Sequence, residues 1–459
     1  MYKIDFNQPE HLHFIGIGGI SMSGLAEILL GAGFTVSGSD SKPSDLTAHL
    51  EKSGAKIFYG QCAENISADY DCVVYTAAIH PDNPEFARCK ELNLPMLTRA
   101  ELLGQIMKNY QTAIAVSGTH GKTTTTSMFS SVLLAAQTDP TISVGGILEA
   151  IGGNIRVGKS DTFITEACEY TNSFLSFYPT LSIILNIEED HMDFFQDLDD
   201  IMHSFRLFAE RLPENGTLII NQEIKNYETI TNGLSCRVIT YGMDPSCTCY
   251  AENVHFNEKG FGEFDAFFDH TPLGHMVLSV PGEHNVSNAL SVIAASKTLG
   301  ISDEMIRAGL AGFTETNRRF QYKGTLNGVT IIDDYAHHPT EIHATLEAAK
   351  NYPHRELWCV FQPHTYTRTK AFFHEFAEAL SKADHVVLAD IYAARETDTL
   401  GMSSQLLQEE ICKFGTDCHY FPSFEEIQQF LKSHCVHGDL LITMGAGDVV
   451  NIGENLLSE

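Results

Sequence analysis

The sequence predicts an α/β protein of three domains in series. Three observations lead there. The chain has 459 residues, room for two to four domains at roughly 100–200 residues each. Short apolar runs of strand length alternate with longer runs at helical spacing, which implies parallel, helix-covered sheets. The alternation starts afresh near residues 109 and 314, each time with a strand that runs into a polar loop. Binding loops are then expected at the carboxyl ends of the strands.

In the first block, "HLHFIGIGG" reads as a buried strand entering a glycine turn, and "ISMSGLAEILLGAG" as the helix that follows, stopped by glycine. "FTVSGSD" and "YDCVVYTAA" read as further strands. In the second block, "QTAIAVSG" is a strand, followed by a glycine loop and a helix from about Lys122. "DTFITEACEY" and "LSIILNIEEDH" read as strands with acidic ends, and "GTLIIN" as another. The weakly patterned stretch from about 234 to 280 is expected to be a small antiparallel insert, and "GEHNVSNALSVIAASKTLG" a polar turn leading into an Ala-rich helix. In the third block, "GVTIIDDYAHHPTEIHATLEAA", "ELWCVFQPHTYTRTKAFFHEFAEAL", "HVVLADIYA" and "DLLITMGAGDVVNIGENLL" each read as strand, polar loop, helix.

Composition excludes some functions. The formal net charge is −30, which opposes nucleic acid and anionic membranes as partners. With 29 Lys and Arg residues against 59 Asp and Glu, any cluster of cations is informative. No apolar run reaches the ~18 residues of a membrane span, and "MYKIDFNQPEH" has no apolar signal core. A cytoplasmic location is therefore expected. The 11 cysteines are scattered without a Cys-x-x-Cys pair; Cys247 and Cys249 lie close, with no His-rich segment after them. Free thiols are the expectation.

The motif with most chemical content is "AVSGTHGKTTTTSMF", from residue 115. Backbone N–H groups at a helix N-terminus form an anion cradle, and glycines let phosphate oxygens come close. Lys122 would reach the β- and γ-phosphates and Thr123 would ligate Mg²⁺. The loop is shorter than the general G-x-x-x-x-G-K-[ST] form, so a glycine turn without a ligand is the bland alternative. Glu166 and Glu169 close one strand of this block, and Glu188, Glu189, Asp190 and His191 close another. On one sheet edge with the loop they could supply oxygen ligands to a metal on ATP, or form an ordinary solvated acidic rim. "GIGGISMSG" places Gly16, Gly18 and Ser21 near the G-x-G-x-x-G pattern, with Asp40 where a ribose-binding acid sits. That pattern fits NAD or another nucleotide diphosphate. The third block concentrates Arg318 and Arg319, then Asp333, Asp334, Tyr335, His337 and His338, then His364, Arg368 and Lys370. Paired arginines could neutralise a γ-phosphate and a substrate carboxylate. Any one of these histidines could instead be a core residue bonded to backbone.

Over nearly its full length the sequence resembles the Mur ligase family. The stretches that carry the resemblance are "HFIGIGGISMSGLAEILL", "VSGSD", "GTHGKTTTT", "NIEEDHMD", "GEHNVSNAL", "TNRRFQ", "DDYAHHPTE", "FQPHTYTRT" and "MGAGD", in family order and spacing. The short loop is the form this family uses for ATP. The resemblance implies a Rossmann-like N-terminal domain over 1–108 for a UDP-sugar, a central P-loop-type ATPase α/β domain over 109–313, and a C-terminal Rossmann-like α/β domain over 314–459 that contacts amino acid and ATP. It further implies an ADP-forming acid–amino-acid ligase of peptidoglycan precursor synthesis. L-alanine would be joined to the lactyl carboxylate of UDP-N-acetylmuramate through an acyl phosphate, with ATP and Mg²⁺ as cofactors. A monomer or weak homodimer is implied.

Residue by residue, the resemblance implies that Gly118, Thr119, His120, Gly121, Lys122, Thr123 and Thr124 hold the ATP phosphates. Thr123, Glu166 and His191 would serve Mg²⁺. His284, Asn285 and Asn288 would face adenine. Arg319 would contact ATP phosphate, and Asp334 with His337 or His338 would complete the nucleotide site. Tyr335, His364 and Arg368 would hold the amino acid or the muramyl carboxylate. Gly18, Gly19, Ser21, Ser39 and Asp40 would bind the UDP-sugar, with Thr76, Ala77 and Arg99 nearby. Lys122, Glu166, His191, Arg319 and His337 form the implied catalytic set. Cys168, Tyr170 and Thr365 depart from the pattern of many members. The nearest rival is the related ligase that attaches a recycled murein tripeptide to the same UDP-sugar. Rivals from other classes are an NAD-dependent oxidoreductase, which leaves the Lys122 loop unexplained, and a non-catalytic UDP-sugar sensor.

Overall fold

A computed structural model describes residues 2–76, 78–314, 317–394 and 396–458. Five short strands open the chain: β1 (His11–Ile15), β2 (Thr35–Asp40), β3 (Lys56–Tyr59), β4 (Cys72–Tyr75) and β5 (Met96–Thr98). They pair in parallel in the order β3-β2-β1-β4-β5. The order reverses between β1 and β4, and ligands of such sheets bind beyond the strand ends at that reversal. Gly16 follows β1 and Thr76 follows β4, so both lie at the switch point. The helix Ile20–Gly31 begins directly after the glycine turn. Its end is closed by Ala32 and Gly33 N–H groups on carbonyls of the last turn, with Gly33 at a φ of 87° that glycine adopts without strain.

The next strands are β6 (Thr112–Ser117), β7 (Thr141–Leu148), β8 (Gly153–Arg156), β9 (Thr162–Ala167), β10 (Leu181–Ile184), β11 (Thr217–Asn221) and β12 (Arg237–Gly242). β6 lies between β9 and β10, parallel to both, and β7 and β11 extend the pairing outward. β8 turns back antiparallel on β7. The helix Lys122–Ala135 starts where the sequence places it. The acidic segments are less regular than expected. β9 ends at Ala167 and β10 at Ile184, before Glu169 and before Glu188. After β10 the reason is a long-range contact: Asn186 turns its polar groups to the loop that follows β6, so the chain leaves the ladder there.

Two compact units divide the chain. One comprises Met1–Thr126, Leu133–Ile187 and Asp199–Thr240; the other comprises Ser127–Val132, Glu188–Leu198 and Tyr241–Glu459. In the second unit the expected antiparallel insert is a meander of β13 (Cys249–Phe256), β14 (Phe261–Phe268) and β15 (Thr271–Pro281). Only Tyr241 and Gly242, at the end of β12, pair with β13 in parallel. The helix Glu283–Thr298 follows.

The last strands are β16 (Gln321–Leu326), β17 (Val329–Asp334), β18 (Leu357–Phe361), β19 (His385–Leu388), β20 (Asp417–Tyr420) and β21 (Leu440–Met444), in the order β16-β17-β21-β18-β19-β20. All pairs are parallel except β16 with β17. Alternate residues of β17 enter different apolar clusters, Ile332 one and Val329 with Ile331 the other. Both faces of this sheet are therefore covered, which is why its strands read as continuous apolar runs. Among the described residues no helix is long and apolar enough to cross a membrane. The cysteines are free thiols.

Candidate active site

The phosphate loop is held in shape by backbone. Gly118 has a φ of 143°, and a Cβ there would lie 2.9 Å from Leu185 Cβ. Thr119 N–H donates to Asn186 O at 3.1 Å, and His120 N–H to Asn186 Oδ1 at 2.8 Å. Asn186 Nδ2 returns a bond to His120 O at 3.1 Å. One asparagine thus clasps both sides of the loop. The motif reading gave Asn186 no role, although it stands in the quoted "NIEEDHMD" stretch.

Lys122 folds back over this loop. Its Nζ donates to Gly118 O at 2.5 Å, to Thr119 O at 3.1 Å and to Glu169 Oε2 at 2.9 Å. Burial by itself would lower the ammonium pKa; the Glu169 carboxylate outweighs it and raises the group above its ordinary value. Thr123 Oγ1 donates to Glu166 Oε2 at 2.9 Å, while Gly145 N–H on β7 holds the other oxygen, Oε1, at 2.5 Å. A hydroxyl and a carboxylate oxygen therefore converge beside the lysine. Gly145 was also missed from sequence, since its part is played by backbone alone. Thr124 is the next residue of the same helix and is partly buried.

The glycine turn of the first sheet has the same backbone logic. Gly18 N–H donates to Asp40 Oδ2 at 2.8 Å, and a Cβ at Gly18 would meet that oxygen at 2.8 Å. Gly19 is exposed and precedes the helix start. Arg99 Nη1 donates to Ser21 Oγ at 3.1 Å, so these two polar groups meet at the turn. Thr76 Cγ2 lies 3.2 Å from where a Gly16 Cβ would be. Ala77 lies outside the described residues. Ser39 departs from its expected place. It is fully buried, its hydroxyl donates to Glu85 Oε2 at 2.5 Å, and its carbonyl accepts from Gly16 and Ile17 N–H at 2.9 and 3.0 Å. It supports the turn from beneath and does not present its side chain to a sugar.

In the second unit, the adjacent arginines differ in kind. Arg318 is spent on structure: Nε donates to Asp333 Oδ2 at 2.9 Å, Nη1 to Gly447 O at 2.9 Å and Nη2 to Gly445 O at 2.7 Å. Arg319 reaches Glu341 Oε1 at 3.4 Å and lies 5.5 Å from the Tyr335 ring centroid. Glu341 Oε2 also accepts from His337 N–H at 3.1 Å, which joins Arg319 and His337 through one carboxylate. Asp334 accepts N–H bonds from Phe320 and Ala336, both at 2.7 Å. Burial pushes its carboxyl up to about 6, against the pull of Arg319 and these N–H groups.

His338 turns the other way. It is buried, bonds Glu189 O through Nε2 at 3.1 Å, and caps the helix Pro339–Lys350. His337 instead lies edge-on to His364, at 5.9 Å between ring centroids. Arg368 Nη1 donates to His364 Nδ1 at 3.3 Å and Nη2 to Asp190 Oδ1 at 3.0 Å. Burial pushes the His364 imidazole down to about 4, with His337 and Arg368 adding to it. Its neutral ring accepts from Arg368 on Nδ1 and so carries its proton on Nε2. Burial would raise the Asp190 carboxyl, but Arg368, His191 and His338 outweigh it and hold it well below the usual range. His191 follows Asp190 at a φ of 54° and donates its N–H to Asp190 Oδ1 at 2.7 Å. Thr365, one of the departures, has a φ of 65°, a strained conformation for a β-branched residue.

Of the adenine-side candidates, His284 is exposed and Asn285 and Asn288 are buried. Asn285 Nδ2 donates to Pro281 O at 2.7 Å and its Oδ1 accepts from Asn288 Nδ2 at 3.1 Å. Their side-chain amides serve the start of their own helix.

Parallel sheets with a glycine-and-lysine phosphate loop at a strand end define the class as phosphate-loop α/β proteins. The chain belongs to the Mur ligase family. Three family models match it in series: "Mur ligase family, catalytic domain" over residues 11–111, "Mur ligase middle domain" over 116–296 and "Mur ligase, glutamate ligase domain" over 318–447. It is 63% identical over 459 residues to the UDP-N-acetylmuramate–L-alanine ligase of Agathobacter rectalis, covering 100% of both chains. Among solved structures, the UDP-N-acetylmuramate–alanine ligase of Thermotoga maritima matches with a TM-score of 0.80 at 28% identity, covering 98% of each chain. A murein peptide ligase from Psychrobacter arcticus matches with a TM-score of 0.70 at 25% identity, again over 98% of each.

Proposed function

We propose that this protein joins L-alanine to the lactyl carboxylate of UDP-N-acetylmuramate, converting ATP to ADP and phosphate. The observation that carries the reading is full-length identity of 63% to a ligase of that name. The pairing of Lys122 with Glu169 and of Thr123 with Glu166 supports it at the level of residues.

Two anionic groups must meet, the ATP phosphates and the lactyl carboxylate, and the anionic acyl phosphate they form must be held. Positioning and cations are the main catalytic need. The 118–124 loop would hold the phosphates, with the N–H groups at the start of the helix Lys122–Ala135 receiving them. Lys122, raised in pKa and fully charged, would exchange Glu169 for phosphate oxygens. Thr123 Oγ1 and the Glu166 carboxylate are hard oxygen donors 2.9 Å apart, which suits Mg²⁺ with its preference for few protein ligands. When bound there, Mg²⁺ supplies charge neutralisation across the phosphates; His191 is proposed to serve it too.

Arg319 and His337, tied through Glu341, would stabilise charge on the transferring phosphoryl group. A lactyl oxygen then bonds to the γ-phosphorus as the bond to ADP breaks. The alanine amine adds to the acyl carbon, the tetrahedral intermediate expels phosphate, and the amine proton passes to water or phosphate. The proton on His364 Nε2, together with Arg368, suits a carboxylate, and Tyr335 borders the same group of residues. Gly18, Gly19, Ser21, Asp40, Thr76 and Arg99 surround the switch point where the UDP-sugar would bind. The cytoplasm is the compartment we infer, because ATP and UDP-sugars are held there.

The test is phosphate release from Mg-ATP with UDP-N-acetylmuramate, comparing L-alanine, a murein tripeptide and no amine. Release that requires L-alanine supports the proposal. Release with tripeptide alone would move the protein to the recycling reaction, and no release with any amine would leave only binding.

A further inference from the structure

The antiparallel meander β13–β15 carries a cluster that the ligase reaction does not use. His255 on β13 stands opposite Glu263 on β14, and His275 on β15 stands opposite Asp265 on β14. Glu263 and Asp265 are two residues apart and so share one face of the meander. Both histidines direct Nε2 at one atom, Glu263 Oε2, at 3.4 Å from His255 and 3.6 Å from His275. The two rings lie roughly face to face, with centroids 6.1 Å apart.

The far side of each ring settles its tautomer. His255 Nδ1 bonds Asn253 O at 3.0 Å, and His275 Nδ1 bonds Asp265 Oδ1 at 3.1 Å. A carbonyl and a carboxylate can only accept, so both Nδ1 atoms carry the proton. In the neutral imidazoles both Nε2 lone pairs then face a carboxylate oxygen. Both Nε2 atoms thus stand within 3.6 Å of one carboxylate oxygen. The carboxylates are braced as well. Asn253 Nδ2 donates to Asp265 Oδ2 at 2.8 Å, and Asn257 Nδ2 donates to Glu263 Oε1 at 3.2 Å, which leaves Oε2 for the centre.

This is the arrangement by which proteins hold histidine for a metal: the remote N–H on a carboxylate or carbonyl, the other nitrogen presented. We propose that His255, Glu263 and His275 bind a divalent transition metal of the zinc type, with Asp265 and Asn253 orienting the two imidazoles. Two nitrogen donors and one oxygen, plus water, complete a tetrahedral site. Imidazole donors select zinc, nickel or copper over Mg²⁺ and Ca²⁺. At metal–ligand distances of about 2.1 Å, binding would draw the two imidazoles and the carboxylate closer together than they stand here. The bound metal links three strands and stiffens the insert without entering the reaction.

The test uses the full-length protein stripped of metal and titrated calorimetrically with zinc chloride against a competing chelator. Wild type is expected to bind one equivalent more than His275→Ala or His255→Ala, because the free thiols contribute equally to all three. Asp265→Asn is expected to weaken that equivalent about 10- to 100-fold while keeping it. Equal stoichiometry and affinity in wild type and both alanine variants overturns the proposal. Unchanged Mg-ATP turnover in the variants checks their folding. Should they fail to fold, X-ray absorption of the wild type loaded with one equivalent of Ni²⁺ decides: imidazole scattering with no sulfur supports the site, and sulfur-only ligation overturns it.

Discussion

The glycine–lysine loop after β6 and the cation cluster of the C-terminal sheet, both proposed to handle negative charge, are built by different means. The loop works mainly through backbone. Gly118 and Gly121 take positive φ values, Asn186 holds the Thr119 and His120 N–H groups, and only Lys122 supplies full charge. The cluster works through side chains, with Arg319, Glu341, His337, His364, Arg368 and Asp190 each oriented by the next. A backbone cradle is prepared before any ligand arrives, whereas a chain of side chains is only as good as its weakest partner. Substitutions should therefore fail locally in the loop and propagate in the cluster.

The largest effect is expected for Lys122→Ala. Loss of a central phosphate cation removes about 4 kcal/mol of transition-state stabilisation, roughly a thousandfold in turnover, while the circular dichroism spectrum stays unchanged. Near-normal turnover in the folded variant would remove the loop from the mechanism. Next is Arg368→Ala, which strands a nearly buried Asp190 carboxylate; about 3 kcal/mol of stability is expected to go, read from urea unfolding. Its pH dependence has a definite sign. The Asp190 carboxyl is depressed in the fold, so its stabilisation is present above its unfolded pKa and lost as pH falls through the folded value. Arg368→Ala should flatten that acid limb, and an unchanged limb would show that the ion pair is not its source.

A smaller effect is expected for Asn186→Ala, which removes both part-buried side-chain bonds to the His120 backbone. A cost of about 1–3 kcal/mol should appear as weaker ATP binding, since the loop loses its clasp while the lysine remains. The last, at Asp334, is a pH slope rather than a fixed loss. Its carboxyl is raised to about 6, so the folded state holds a proton that the unfolded state has released, and stability should decline as pH rises from about 4 to about 6. Asp334→Ala removes that slope in a thermal-melt series; a slope that persists would assign it to another group.

Legibility from sequence followed the same division. The loop could be read because its determinants are contiguous: strand, glycines, lysine, threonine and helix within one stretch. Its clasp could not, because Asn186 lies 66 residues from His120 and acts through an amide that no local pattern distinguishes. The acidic strand ends were legible as acids near a sheet edge, but their strands stop earlier than the apolar runs suggested. After β10, Asn186 leaves the ladder to bond the loop, and that competition is tertiary.

Adjacent residues mark the boundary most clearly. Composition and motif order determined the α/β class, the family and the presence of a phosphate loop, because strand and helix periodicity and the φ demands of glycine are local properties. Which of two like neighbours does what was decided only by the fold. Arg318 is consumed by Asp333 and two glycine carbonyls while Arg319 meets Glu341; His338 caps a helix while His337 meets His364; Ser39 is buried on Glu85 while Asp40 meets Gly18. Successive side chains of a strand or loop project in different directions, and what each direction contains is set by segments far away in the chain.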